Sequence, residues 1–228
     1  MPMATPARIP FAVLAAISGI TFALLAFPHF EDGLARDAAI PVPIYMIRQV
    51  SMPPVAYRNA FKALSRASRA DGEAQIAAAE AAIRGGQGGP AEIVRLEHGI
   101  EDAPAVPRGW LLLSEMLASS DRRRAAEALS QALVLAPYDF WLAGERARDA
   151  AAQWDALDGE TRTMALRQVQ LLWEQEPLRR YLPPLLSTPA GVALVIRAFA
   201  SRPDDFRAFN RWLSQERRRA ATEERVGR

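Results

Sequence analysis

Residues 107–137 read PRGWLLLSEMLASSDRRRAAEALSQALVLAP. Pro107 suits the first turn of a helix, where a missing N–H loses no intrahelical partner. Trp110, Leu113, Ser114 and Leu117 then follow at three- and four-residue steps, the spacing of one helical face. Asp121 precedes the next run as an N-cap, and Ala125, Ala128, Leu129, Ala132 and Leu133 keep the same period. Pro137 stops it, since proline cannot continue a helix. Two amphipathic helices joined by so short a turn fold back on each other as a hairpin.

The same punctuation extends in both directions. Residues 56–67 form one candidate helix. Asp71 opens the next, carrying Ala74, Ile76, Ala77, Ala81 and Ile83, and Gly85-Gly86 ends it. Pro90 opens another with Ile93, Val94, Leu96 and Ile100. Beyond the hairpin, Gly159, Pro177, Pro183-Pro184 and Pro203 mark later breaks. Val192, Leu194, Val195, Ile196 and Phe199, and then Phe206, Phe209, Trp212 and Leu213, give two amphipathic stretches that would cap an array. Alanine, leucine and arginine, which dominate the composition, cost least in a helix. The expectation is an all-α chain with an antiparallel helical-hairpin array over residues 55–218, its clearest unit at 107–137, and a polar tail at 219–228.

The large–leucine–small–large order of Trp110, Leu113, Ser114 and Leu117, followed by Ala125, Leu129, Ala132 and Pro137, resembles the tetratricopeptide repeat, with a turn one residue short. Pro104 falls where the proline closing a preceding repeat would lie. Ala165, Val169, Leu172 and Pro177 repeat the second-helix spacing, but their first helix, residues 141–154, departs from the motif and carries Arg146, Arg148 and Asp149. The resemblance covers about residues 75–177. It implies an α-solenoid whose first helices line a protein-binding groove. Residues 178–218 continue without the motif, and any antiparallel helical array would share its spacing.

Residues 9–27 carry no charge, and at about 1.5 Å per residue they span roughly the 30 Å hydrocarbon thickness of a bilayer. A transmembrane helix is expected over 9–28, after a short tail at 1–8. A cleaved signal peptide and a buried core helix compete with it. The exit, Leu25-Ala26-Phe27-Pro28, is a poor cleavage site, and an uncharged run of this length at a terminus is unusual for a core helix. Arg8 precedes the span, and Glu31 and Asp32 follow it. That order puts the bulk of the chain outside the cytoplasm, in the periplasm of a two-membrane bacterium, with the anchor in the inner membrane. Proline and glycine punctuate residues 29–54 as a connector, broken by the apolar run Ile44-Tyr45-Met46-Ile47-Arg48-Gln49-Val50, whose length does not distinguish strand from helix.

The chain has no cysteine, which excludes disulfides and thiolate chemistry. Its formal net charge is only +2, with cations and acids interleaved as in Glu145, Arg146, Arg148 and Asp149. That argues against a nucleic-acid partner, which needs cations clustered on one face. His29 and His98 each lack a nearby second ligand. The glycine-rich run 85–90 lacks the lysine and hydroxyl of a phosphate loop and follows a helical pattern, not a strand. No nucleophile elbow is present. No enzyme activity, metal, cofactor or small-molecule site is expected.

What remains is binding. All five tryptophans fall within helical apolar patterns, for which core packing is the default reading, and Tyr138 and Trp141, just after Pro137, are the best candidates for a partly exposed aromatic patch. Arg108, Glu115, Glu145 and Arg148 are the polar positions on the flanking first helices expected to face a partner, since aromatics and arginines dominate binding hot spots. The expected function is a membrane-tethered protein–protein interaction scaffold whose partner is itself membrane-associated. The resemblance extends to single-anchor accessory factors of cell-envelope assembly, polysaccharide synthesis and export among them. A structural subunit that associates through its membrane helix is the competing reading, because Ala15, Ala16, Gly19 and Ala23 offer small residues for close helix contact.

On this reading the full chain stays with membranes through high-salt and alkaline washing. A soluble product lacking about the first 28 residues, the mark of a removed signal segment, would sink the anchor.

Overall fold

Aspartate, threonine and proline set where most of the helices begin. The structure, a computed structural model, describes residues 53–65 and 71–226. The predicted span at 9–28, nearly all of the 29–54 connector and His29 lie outside the described residues. Among those described there are ten α-helices and no strand, so this part of the chain is all-α as expected. None of these helices is long and apolar enough to cross a membrane. The described residues divide into two compact units at Ala103/Pro104.

The first unit holds α1 (Pro54–Leu64), α2 (Gly72–Ala82) and α3 (Pro90–Asp102). Proline opens α1 and α3, and Asp71 caps α2 by accepting the Ala74 N–H at 3.1 Å. Helix α2 packs against both α1 and α3. That position explains a helix that is apolar nearly all round, with Ala74, Ile76, Ala78, Ala79, Ala81 and Ala82 all buried. Its crossing with α3 depends on two glycines. A Cβ at Gly72 would lie 2.6 Å from the Gly99 carbonyl oxygen, and one at Gly99 would lie 2.9 Å from Ile76 Cγ1. The expected stop at Gly85-Gly86 takes the form of a π-type turn, Ile83–Gln87, in which Gly86 adopts φ +79°, open to glycine at little cost.

The second unit begins with α4 (Pro107–Leu117) and α5 (Arg122–Leu135). It continues with α6 (Ala143–Gln153), α7 (Gly159–Glu174), the single turn α8 (Leu182–Leu185), α9 (Pro189–Phe199) and α10 (Pro203–Val226). Asp121, Asp158 and Thr188 cap α5, α7 and α9 by accepting the N–H groups of Arg124, Thr161 and Gly191. Helices α4 and α5 pair, as do α6 and α7. The first helix of each later pair also packs against both helices before it: α6 on α4 and α5, α9 on α6 and α7. Helix α10 contacts α9 and runs to Val226, past the boundary at 218 expected from polarity alone. Its exposed end is a sequence of helix-favouring residues with an Arg219–Glu216 pair one turn apart at 2.9 Å.

Two apolar clusters fill this unit. Leu111, Ala126, Leu129, Ala132, Leu133, Ala150, Leu157 and Ala165 form one. The other centres on Trp173, Phe199 and Phe209, with ring centroids 5.5–6.2 Å apart. Alanine at 125, 128, 132, 143, 147 and 150 is buried where helices α4 to α7 meet. Trp110, expected from its spacing to be buried between two helices against Leu129 and Ala132, packs on the cluster that holds both but is less enclosed. Its ring is only partly buried at the edge of the first cluster, its indole N–H donates to the Pro104 carbonyl at 2.9 Å, and Leu111 takes the enclosed position.

Truncating Leu129, which is fully enclosed, should therefore cost about 2–5 kcal/mol. Trp110→Ala should cost about 1–3 kcal/mol, short of the figure for a sealed aromatic. Chemical denaturation of both variants checks the order; a reversal would misplace the tryptophan.

Candidate interaction surface

The buried stripe of α5 ends at Ala132 and Leu133, so the last helical turn leaves Val134 and Leu135 facing out, 53% and 39% exposed. Pro137 prevents the helix from continuing. The sequence pattern extends the next helix back to Trp141, but the structure begins α6 at Ala143 and makes residues 136–142 a turn. The reason is local hydrogen bonding. The Asp139 N–H donates to the Ala136 carbonyl at 3.1 Å, and the Asp139 carboxylate accepts the Trp141 N–H at 3.0 Å. Aspartate commonly closes turns in this way.

Three aromatic rings stand on this turn. Tyr138 is 71% exposed, Phe140 42% and Trp141 45%. Phe140 and Trp141 lie with centroids 4.9 Å apart. Val134 and Leu135, at the end of α5, and these three rings are all exposed within one eight-residue stretch, 134–141. Exposed apolar residues scattered singly are ordinary, so several of them within one short stretch make it the candidate surface.

The turn is held from its inner side. Arg146, on α6, is fully buried and donates from Nη1 to the Ala136 carbonyl at 2.7 Å. Gln168, on α7 and also buried, donates from Nε2 to the Pro137 carbonyl at 3.0 Å. Arg146 Nε and Nη2 and Gln168 Oε1 find no protein partner. Burial pushes the Arg146 guanidinium down to about 10, with the Asp139 charge opposing the shift and the Arg108 charge adding to it. The group still carries its proton at neutral pH.

The six residues singled out in the sequence separate into distinct settings. Tyr138 and Trp141 come together on the exposed turn. Arg108 and Glu145 pair with each other at 2.7 Å, with side chains only 16% and 25% exposed, tying α4 to α6. Glu115 is half-buried on α4. Arg148 is 57% exposed, its Nε 3.9 Å from the Asp149 carboxylate. Sequence reasoning missed Phe140, Val134 and Leu135 as surface residues, and Arg146 and Gln168 as the groups behind them. Arg146 did leave a signal, as the charge that broke the repeat pattern.

In the first unit, Gln75, Val94, Arg95, His98, Glu101 and Asp102 line an open groove of about 490 Å³. His98 lies 3.4 Å from Glu101 with both side chains well exposed, an ordinary surface pair. Among the described residues no group of three or more potential metal ligands comes together. No family model, curated protein or solved structure matches this chain.

Rings this exposed contribute little to folding. Tyr138→Ser should shift the unfolding free energy by less than about 0.5 kcal/mol, as solvated positions do. A loss above about 2 kcal/mol in thermal or denaturant unfolding would make the ring part of the core.

Proposed function

We propose that this chain is a membrane-tethered scaffold that binds another protein. In this reading residues 9–28 anchor it, and the hairpins of the second unit, arranged in the manner of tetratricopeptide repeats, carry the recognition surface. The inner membrane is the proposed site, with the helical units on the periplasmic side. The observation that carries the binding reading is the exposure of Tyr138, Phe140 and Trp141 on one ordered turn, directly after the exposed Val134 and Leu135 at the end of α5. Tryptophan and tyrosine at the centre of such a surface are the residues that dominate measured interfaces. Their rings bury large area on association and lose little rotamer freedom, and the tyrosine hydroxyl and indole N–H can each bond a partner.

The stacking of hairpins supports the solenoid part of the proposal. Helices α6 and α9 each pack on the pair before them, a nearest-neighbour arrangement of the sort found in helical repeats. Arg108 and Glu145 then serve the array, not the partner, because each is largely withdrawn from solvent against the other. Arg148 stays available at the rim, where a charge tunes association rate more than affinity.

A photo-reactive phenylalanine analogue placed at residue 140 of the full chain, in its native membrane, tests this. A discrete protein adduct should form there, be absent from the same probe at Arg123 on α5, which is 90% exposed, and fall at least tenfold with Trp141→Ser. Adducts to lipid alone, or equal labelling at both sites, would remove the protein-binding reading.

A further inference from the structure

We propose that Arg146 and Gln168 form a buried staple that fixes the 136–142 turn in the shape that presents Tyr138, Phe140 and Trp141, making it a pre-organised plug for an apolar pocket on a partner protein. The use of the plug rests on the binding function proposed above; the staple itself rests on geometry. Two side chains from two different helices, α6 and α7, reach consecutive carbonyls, Ala136 at 2.7 Å and Pro137 at 3.0 Å. Those carbonyls lie where α5 has ended and Pro137 bars further helix, so the helical ladder does not serve them. Both side chains are sealed from solvent, Arg146 at 0% and Gln168 at 1% exposure.

The arginine is costly for fold stability alone. Its guanidinium satisfies one carbonyl, while Nε and Nη2 have no protein acceptor. An apolar side chain of similar length would fill the same space without desolvating a charge. What an apolar residue would lose is the grip on Ala136. The Asp139 carboxylate completes the arrangement: it closes the turn through the Trp141 N–H, and its charge favours the Arg146 cation. The one acid of the turn is thus used locally, beside a surface of rings. A rigid turn avoids the ordering cost that a loose aromatic loop would incur on binding. Arg146 and Gln168 are therefore positioning residues, and the contacts to a partner belong to the rings.

Amide hydrogen exchange on the full chain in detergent micelles, comparing the parent with Arg146→Met, Arg146→Lys and Gln168→Leu, tests the staple without needing the partner. In Arg146→Met and Gln168→Leu the amides of Asp139, Trp141 and Ala143 should exchange at least tenfold faster, while those in the middle of α5 and α7 keep their parent rates. Arg146→Lys, which keeps one donor, should restore most of the protection. Unchanged exchange in the turn overturns the staple. So does uniform acceleration across the second unit in both Arg146→Met and Gln168→Leu, which would make these residues general supports of the fold. The residue-140 cross-link is then read in the same variants. A several-fold lower adduct yield supports the plug, and an undiminished yield in a loosened turn overturns pre-organisation while leaving the binding reading intact. Absence of any adduct in the parent removes the binding reading, and with it the plug, while the exchange rates still decide the staple.

Discussion

Close approach between helices governs this structure. With no cysteine in the chain, the helices are held by contact alone, and contact over so many short helices requires their axes to come near one another. Small side chains allow it. Ala126 and Ala132 on α5 share one buried cluster with Ala150 on α6 and Ala165 on α7, beside leucines at 111, 129, 133 and 157, and Ala143 and Ala147 on α6 share another with Val169 and Leu172 on α7. The first unit goes further, with Gly72 and Gly99 so close that neither tolerates a Cβ in place. In such an interior one added methylene has nowhere to go, which is why volume, more than any single bond, sets the register of the array.

Alanine surfaces are nearly featureless, so apolar packing by itself leaves helices free to slide. A line of polar contacts removes that freedom. Gln153 on α6 donates to Ser114 on α4 at 2.9 Å, and Thr161 on α7 donates to Ser130 on α5 at 3.0 Å. Gln170 on α7 reaches the Ala198 carbonyl on α9 at 2.9 Å, and Arg108 meets Glu145 across α4 and α6. Each joins successive hairpins. A buried polar group left without its partner loses more than the bond was worth, so these pairs penalise misregister strongly. Arg146 and Gln168 belong to the same inner layer, with the difference that their bonds go to a turn and not to a neighbouring helix.

That difference connects packing to function. The helices around α5, α6 and α7 are over-determined by apolar and polar contacts, and the 136–142 turn inherits their rigidity through two carbonyl bonds. Functional residues on loops owe their precision to the scaffold beneath them. The unfavourable features of the molecule, a desolvated arginine and a set of solvent-facing rings, sit on opposite sides of the same few residues. Local violations of the usual rules of burial tend to fall where a protein does something beyond folding.

The sequence by itself determined the all-α class and most helix starts. Asp71, Asp121 and Asp158 cap because a carboxylate beside free N–H groups needs no tertiary partner, and prolines at 90 and 107 open helices because their constraint is written in the backbone. It also marked Tyr138 and Trp141, as aromatics just after a proline of the kind enriched at binding surfaces, although Trp141 fits a helical apolar pattern. Only the tertiary structure decided what depends on neighbours distant in the chain. Trp110 reads as a core residue by spacing, yet it lies at the edge of the cluster with its indole N–H turned to the Pro104 carbonyl, while Leu111 is enclosed. Arg108 and Glu145 read as surface charges, yet they meet across 37 residues of sequence. Arg146 reads as an interruption of a repeat and becomes its buried clasp, for helical periodicity reports which residues share a face, not what the fold places against that face.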